Sequence, residues 1–222
     1  EALCSAYDWD VKTHGTEHEI CWVELLAYTA AKTGGSFDKN ALKILEKTAK
    51  VLSEGEKTME ELTADMKYYA YYREAYDAAI GGLVGEYQEE QEDGSCVQRY
   101  GLKGYFPLAR GFDYSHYDDF GVSRSYGYKR QHLGHDMMGL VGTPITAVES
   151  GTVEALGWNQ YGGWRIGIRS FDGRRYYYYA HLRQNYPYAE GLAEGSTVTA
   201  GDVIGYMGHT GYSTKENVNN IE

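Results

Sequence analysis

Glycine and proline are spread so unevenly along this chain that its two halves cannot share one kind of structure. Residues 1–100 hold 8 of the 28 glycines and no proline, whereas residues 101–222 hold 20 glycines and all three prolines. Both residue types interrupt helices and shape turns. The first part is therefore expected to be helical, and the second to consist of short strands joined by tight turns.

In the helical part, Trp22, Leu25, Leu26, Thr29 and Ala30 recur at intervals of three and four, and Gly34-Gly35 follows as a stop. A second amphipathic helix is expected over 38–53, with Ala41, Leu42, Leu45, Ala49 and Leu52 on one face. Thr58-Met59-Glu60-Glu61 has the capping-box pattern, in which a threonine oxygen and a glutamate carboxylate satisfy free backbone donors reciprocally. It predicts a third helix running to about Ile80, before Gly81-Gly82. His14 and His18 have no third ligand close by in sequence and read as surface histidines. This half carries no recognisable catalytic chemistry and is assigned structural or substrate-positioning work. Residues 86–93 are acidic, and because like charges repel and do not pack, they read as a solvated linker. The expected organisation is a helical region over 1–85, an acidic, glycine-containing linker over 86–104 and a compact antiparallel β domain over 105–222, an α+β chain.

In the β half, apolar and β-branched residues come in short runs at 145–148, 152–156, 164–168, 176–182 and 203–207, cut by Gly151, Gly162-Gly163 and Gly201. Asp172-Gly173 between two such runs is a hairpin-turn signal. The absence of a repeat of about 20–50 residues argues against a solenoid or propeller.

Composition narrows the function classes. With 21 Lys+Arg against 32 Asp+Glu, a net charge of −11 and no basic run, the chain is not built to track a nucleic-acid backbone. A 42% hydrophobic content supports a packed core. No stretch reaches the roughly 18 consecutive apolar residues of a spanning helix. The sequence opens at Glu1 without a methionine, so a signal or membrane tether upstream would fall outside it. Cys4, Cys21 and Cys96 contain no CxxC, which disfavours a cysteine metal site. A Cys4–Cys21 disulfide and buried free thiols both remain open. The 23 tyrosines suit sugar or peptide binding and equally suit ordinary sheet faces.

Chemistry concentrates in three places. His132 and Asp136 stand four apart, and an imidazole and a carboxylate suit Zn²⁺. Straight strand would separate them by roughly 13 Å, too far for one ion with bonds of about 2 Å. A shared ion therefore requires a turn, which Gly134 could make with a positive φ. The alternative is a surface histidine beside a turn aspartate. In the run at 176–182, strand alternation would put Tyr177, Tyr179 and His181 on one face. His181 there is either a hydrogen-bonded structural residue or a groove histidine that orients or deprotonates a water. His209 belongs to a glycine-lined loop that reads as hairpin architecture, with metal contact as the alternative.

Taken in order, these segments resemble the lysostaphin-type zinc endopeptidases that cut peptide cross-bridges in bacterial cell wall. The likeness rests on Ser125-Tyr126-Gly127-Tyr128-Lys129, on residues 132–136, on the stretch from Gly142-Thr143-Pro144 to Gly151-Thr152-Val153, on residues 163–169, on Tyr179-Ala180-His181-Leu182 and on residues 201–211. It covers about residues 105–222 in collinear order. The resemblance implies a duplicated hybrid motif with a lysostaphin-type groove, Zn²⁺ bound by His132 and Asp136, and His181 as a catalytic histidine. It also implies a peptidoglycan peptide as substrate and an extracytoplasmic location, secreted or membrane-anchored. In that family a later His-x-His supplies a second catalytic histidine and the third zinc ligand; residues 1–222 contain none, and it is expected to follow Glu222. His135 stands where the family has an apolar residue, and is read as a strand residue with a structural partner. Two rivals of other classes compete: a catalytically inactive scaffold of the same fold that binds cell wall or a partner protein, and a sugar-transport phosphocarrier domain, which would carry a reactive histidine and not need Asp136.

Overall fold

Helices come first and antiparallel sheets after, so the chain is α+β. The computed structural model describes residues 1–91, 93–125 and 127–221. Glu92 of the acidic run, Tyr126 of the tyrosine-glycine segment and Glu222 lie outside the described residues. The chain divides into two units, Glu1–Lys103 and Gly104–Glu222.

In the first unit, α1 (Ala2–Thr13), α2 (Trp22–Thr33) and α3 (Lys39–Ser53) pack around Leu25 and Leu45, both fully buried. Burying a leucine side chain of this kind contributes about 1.5–3 kcal/mol. Helix α2 stops where Gly34 turns left-handed at φ 66°, and Asp38 caps α3 by accepting from the backbone N–H groups of Asn40 and Ala41. The capping box at Thr58 and Glu61 is formed. The helix it opens is short, however: α4 spans Met59–Thr63 and α5 spans Tyr69–Ile80, with turns between them where one continuous helix was expected. No glycine or proline marks that break.

Helix α1 was not expected, because the face it buries holds Ala6, Asp10 and Thr13 and gives little apolar periodicity. Asp10 is nonetheless well used. Its carboxylate accepts from the Trp22 backbone N–H at 2.8 Å, at the start of α2, and from the Tyr100 hydroxyl at 2.7 Å.

The expected linker is instead a hairpin, β1 (Val84–Glu90) against β2 (Cys96–Leu102), belonging to the first unit. The acidic strand is tolerated because its partner supplies compensating groups: Arg99 pairs with Glu89 at 2.9 Å, and Gln98 donates to Glu86 at 3.3 Å. Cys4, Cys21 and Cys96 are unpaired and exposed, so neither the disulfide nor the buried-thiol reading holds.

The second unit contains a four-stranded antiparallel sheet in the order β10 (Tyr176–Tyr179), β9 (Gly163–Ser170), β8 (Gly151–Asn159), β11 (Thr197–Val198). Two-stranded pieces accompany it: β12 (Val203–Tyr206) with β7 (Pro144–Thr146), β3 (Tyr114–Tyr117) with β6 (Asp136–Gly139), and β4 (Ser123–Arg124) with β5 (Arg130–Gln131). Leu108, Ile145, Val153, Ile166, Ile168, Leu182, Val198 and Ile204 form its core. Asp172-Gly173 makes the β9–β10 turn, with Gly173 at φ 72°.

Beneath that turn, Arg175 donates to both oxygens of Glu149, at 2.8 and 2.7 Å, and to Asp172 at 3.0 Å. The Tyr177 hydroxyl donates to Glu149 at 2.7 Å. Hydrogen bonding to Glu149 raises the Arg175 pKa, and burial followed by the bond to Glu149 raises that of Tyr177. The Val148 N–H donates to the Tyr179 hydroxyl oxygen at 2.8 Å.

Candidate metal centre

The backbone leaves β5 before His132 and enters β6 at Asp136, with a bend at Gly134. That bend brings His132 Nε2 to 3.3 Å from Asp136 Oδ1. The glycine is used differently from expectation. Gly134 is absent from the positive-φ residues; what it provides is room, because a Cβ there would lie 3.1 Å from His132 Nε2.

The donor set and spacing fit a zinc ion. Two bonds of about 2.1 Å meeting at a tetrahedral angle put their donor atoms roughly 3.4 Å apart, close to the separation of Nε2 and Oδ1. His132 and Asp136 are the residues that would hold the metal.

Two further residues, not singled out in the sequence, complete the cluster. Asp119 Oδ2 lies 3.1 Å from His132 Nδ1, and the Arg124 guanidinium contacts Asp119 as well as Asp136 Oδ2, the latter at 2.9 Å. Among the described residues, Asp119, His132 and Asp136 form a group whose donor atoms all lie within 4.8 Å of one another. Buried Asp119 Oδ1 finds no hydrogen-bond partner among the described residues. Burial opposes ionisation of Asp119, but hydrogen bonding with Asp136 and the charges of His132 and Arg124 outweigh it and hold the carboxyl below the usual range.

His181 is not on the strand face with Tyr177 and Tyr179. Strand β10 ends at Tyr179, and His181 takes a left-handed φ of 58°, a conformation that costs a non-glycine residue energy and must be held by its surroundings. Those surroundings are specific. The His181 N–H donates to Gly162 O at 2.6 Å, its carbonyl accepts from Gly208 N–H at 3.1 Å, and the next residue, Leu182, is fully buried.

His181 Nδ1 lies 2.8 Å from the carbonyl oxygen of Thr210. A carbonyl can only accept, so Nδ1 carries the proton and Nε2 is the acceptor nitrogen of the neutral ring. Burial lowers the His181 pKa; the Thr210 hydrogen bond and Asp136 act in the opposite direction. Two glycines make space for this ring and its anchor: a Cβ at Gly211 would lie 2.9 Å from His181 Nδ1, and one at Gly163 would lie 2.4 Å from the Thr210 carbonyl carbon.

Aromatic rings continue outward from His181. Tyr212 sits 5.6 Å from it, and the Arg130 guanidinium lies 5.9, 5.3 and 5.6 Å from the rings of Tyr212, Tyr161 and Tyr128. These four side chains were not assigned a role from sequence, where the tyrosine excess left peptide binding and ordinary sheet faces equally open. His135 precedes β6 rather than lying in a strand, and its ring packs 5.1 Å from that of His116. The His209 backbone carbonyl accepts from the N–H groups of Asn220 and Ile221, and its side chain is not in the three-residue group.

Residues 130–219 match Peptidase family M23. The L-Ala--D-Glu endopeptidase of Bacillus subtilis (strain 168) is 42% identical over 107 residues, 48% of this chain and 32% of that protein. Lysostaphin of Staphylococcus simulans is 39% identical over 84 residues, 37% of this chain and 16% of that protein. The chain thus spans a third or less of the length of these relatives. A crystal structure of a lytM protein from Ruminococcus gnavus ATCC 29149 aligns with 96% of this chain and 74% of its own, with a TM-score of 0.56 and 23% identity, a likeness of fold. No helix among the described residues is long and apolar enough to cross a membrane.

Proposed function

We propose that the peptidase family M23 domain carried by residues 130–219, homologous to lysostaphin and to the L-Ala--D-Glu endopeptidase, hydrolyses peptide bonds in bacterial cell-wall peptidoglycan. The observation that carries this reading is the approach of His132 Nε2 to Asp136 Oδ1 at 3.3 Å, near a histidine whose remaining nitrogen can accept a proton. The site of action is outside the cytoplasmic membrane, where that substrate lies.

His132 and Asp136 would hold a zinc ion, which when bound supplies Lewis acidity and a water of lowered pKa. The other roles belong to the chain's own side chains. His181, with Nδ1–H committed to Thr210, accepts a proton at Nε2 from the attacking water and passes it to the leaving amine. Its lowered pKa keeps the ring in the neutral, proton-accepting form at neutral pH. Tyr212 and Tyr161 offer flat walls for an extended peptide, and Arg130 places a positive charge among them. That charge suits a substrate with a carboxylate beside the scissile bond, as in the L-Ala--D-Glu linkage for which the Bacillus relative is named.

The test is incubation of the full-length, zinc-supplied protein with purified peptidoglycan, followed by assay for newly released amino groups. Release that disappears in His132→Ala and Asp136→Ala supports the reading. Stoichiometric zinc without release would favour a non-catalytic scaffold, and hydrolysis that persists in Asp136→Ala would remove the metal pair from the chemistry.

A further inference from the structure

We propose that Asp119 is a positioning residue for the metal pair: it accepts a hydrogen bond from His132 Nδ1 and so turns Nε2 toward Asp136, and Arg124 holds it in place. The inference rests on His132 and Asp136 as the metal-holding pair proposed above and assigns what steadies them.

His132 has a carboxylate oxygen on each side, Asp119 Oδ2 at 3.1 Å from Nδ1 and Asp136 Oδ1 at 3.3 Å from Nε2. A neutral imidazole carries one proton, on one nitrogen. If that proton were on Nε2, the Nδ1 lone pair would face Asp119 at 3.1 Å and no lone pair would be left for a cation beside Asp136. With the proton on Nδ1, Asp119 accepts it and Nε2 presents a lone pair beside Asp136 Oδ1, the arrangement a shared cation needs. Metal-binding histidines generally donate their second nitrogen's proton to a carboxylate or carbonyl, which fixes tautomer and ring orientation. Arg124 Nη2 also lies 3.5 Å from His132 Nδ1, at the outer limit of a hydrogen bond; the Asp119 carboxylate at 3.1 Å is the nearer group, and of the two only a carboxylate can accept from an Nδ1–H.

Asp119 is held there by its backbone as well as by its side chain. The Gly121 N–H donates to His132 O at 2.7 Å, and the His132 N–H donates to Val122 O at 2.8 Å. The Val122 N–H closes a turn onto Asp119 O at 3.1 Å. The pairing continues into β4 and β5, Ser123 opposite Gln131 and Arg124 opposite Arg130. The segment that carries Asp119 is therefore hydrogen-bonded to His132 from both sides of its peptide, and Arg124 emerges from the same pairing.

Arg124 solves an electrostatic difficulty. When both are ionised, two carboxylates flanking one ring repel each other, and one guanidinium in contact with both Asp119 Oδ2 and Asp136 Oδ2 offsets this. It contacts Asp136 through Oδ2, while Oδ1 is the oxygen nearest His132 Nε2.

The competing arrangement is Asp119 as a direct third ligand, since its carboxylate lies within reach of the group. Two measurements separate the readings. In metal-free protein, nitrogen-15 NMR of the histidine side chains at a pH where His132 is neutral should show His132 as the Nδ1–H tautomer. In Asp119→Ala it should move to the Nε2–H form, with Asp119→Asn, which keeps a carbonyl acceptor, remaining closer to the parent. Zinc affinity, measured by chelator competition, should fall about 10- to 100-fold in Asp119→Ala and recover in part in Asp119→Asn.

An Nε2–H tautomer in the parent protein, or an Asp119→Ala variant with unchanged tautomer and affinity, would overturn the proposal. X-ray absorption or a zinc-loaded crystal structure with an Asp119 oxygen at bonding distance from the ion would also overturn it, making Asp119 a ligand. Loss of cell-wall hydrolysis in an otherwise normal parent bears on the proposed activity alone, because the tautomer is read without metal or substrate.

Discussion

His181 Nδ1 donates to the carbonyl oxygen of Thr210 across 2.8 Å, and Thr210 is itself fully buried, its hydroxyl donating to Leu182 O at 2.6 Å and accepting from Trp164 N–H at 3.1 Å. The ring is therefore aimed by a buried threonine whose own position is fixed by the core. His181→Ala should lower the rate of peptidoglycan hydrolysis by about 10²–10⁴-fold, the usual contribution of a positioned general base. Zinc content should stay unchanged. A variant with normal turnover would remove His181 from the proposed reaction.

The pH dependence of stability follows from the same residue. Burial lowers the His181 pKa below its ordinary value near 6.5. As pH falls below about 6.5 the unfolded chain takes up a proton before the folded chain does, so the His181 contribution to stability is complete above that value. It is lost progressively between there and the lowered folded-state pKa. Chemical denaturation of the parent and of His181→Gln at a series of pH values should show a smaller acid loss in the variant across that window. Equal slopes would contradict the assignment.

Gly163 adopts φ 64°, and a Cβ there would sit 2.5 Å from both Thr210 O and Thr210 Oγ1. Gly163→Ala should displace the oxygen that anchors His181 and reduce hydrolysis while leaving His132 and Asp136 able to take up zinc. Parallel measurement of turnover and metal content checks this, and a fully active variant would show that the anchor tolerates displacement.

Glu149 and Arg175 form a buried pair, with side chains 10% and 8% exposed. Removing Glu149 leaves the buried Arg175 guanidinium with the more exposed Asp172 in place of its bidentate partner, so Glu149→Ala should destabilise the second unit by about 1.5–3 kcal/mol. Urea denaturation followed by signals from that unit reads the loss, and a change below about 1 kcal/mol would mean that water or the Asp172 carboxylate replaces Glu149.

The parts of the fold written in local periodicity were legible. Helices α2 and α3 present apolar faces, and the glycine-cut runs of the β half become strands. What was missed depends on partners distant in sequence. Helix α1 buries Asp10, a residue that makes sense only opposite Trp22 and Tyr100. The acidic segment is a strand because Gln98 and Arg99 lie across from it. In the site, the four-residue spacing of His132 and Asp136 announced that a turn was needed, and the turn exists. Asp119 and Arg124 gave no such sign, because their approach to His132 is created by the pairing of β4 with β5. The Asp119-Phe120-Gly121 turn followed by Arg124 was the available signal. Strand alternation misplaced His181, since a left-handed residue ends the alternation.

The proposed chemistry stands on His132 and Asp136 jointly holding one zinc ion. Metal analysis of the purified protein after equilibration with limiting zinc tests it most directly, alongside His132→Ala and Asp136→Ala. About one zinc per chain is expected in the parent, with loss of that zinc in each variant and the fold retained. Zinc bound equally well by all three proteins, or by none, would contradict it.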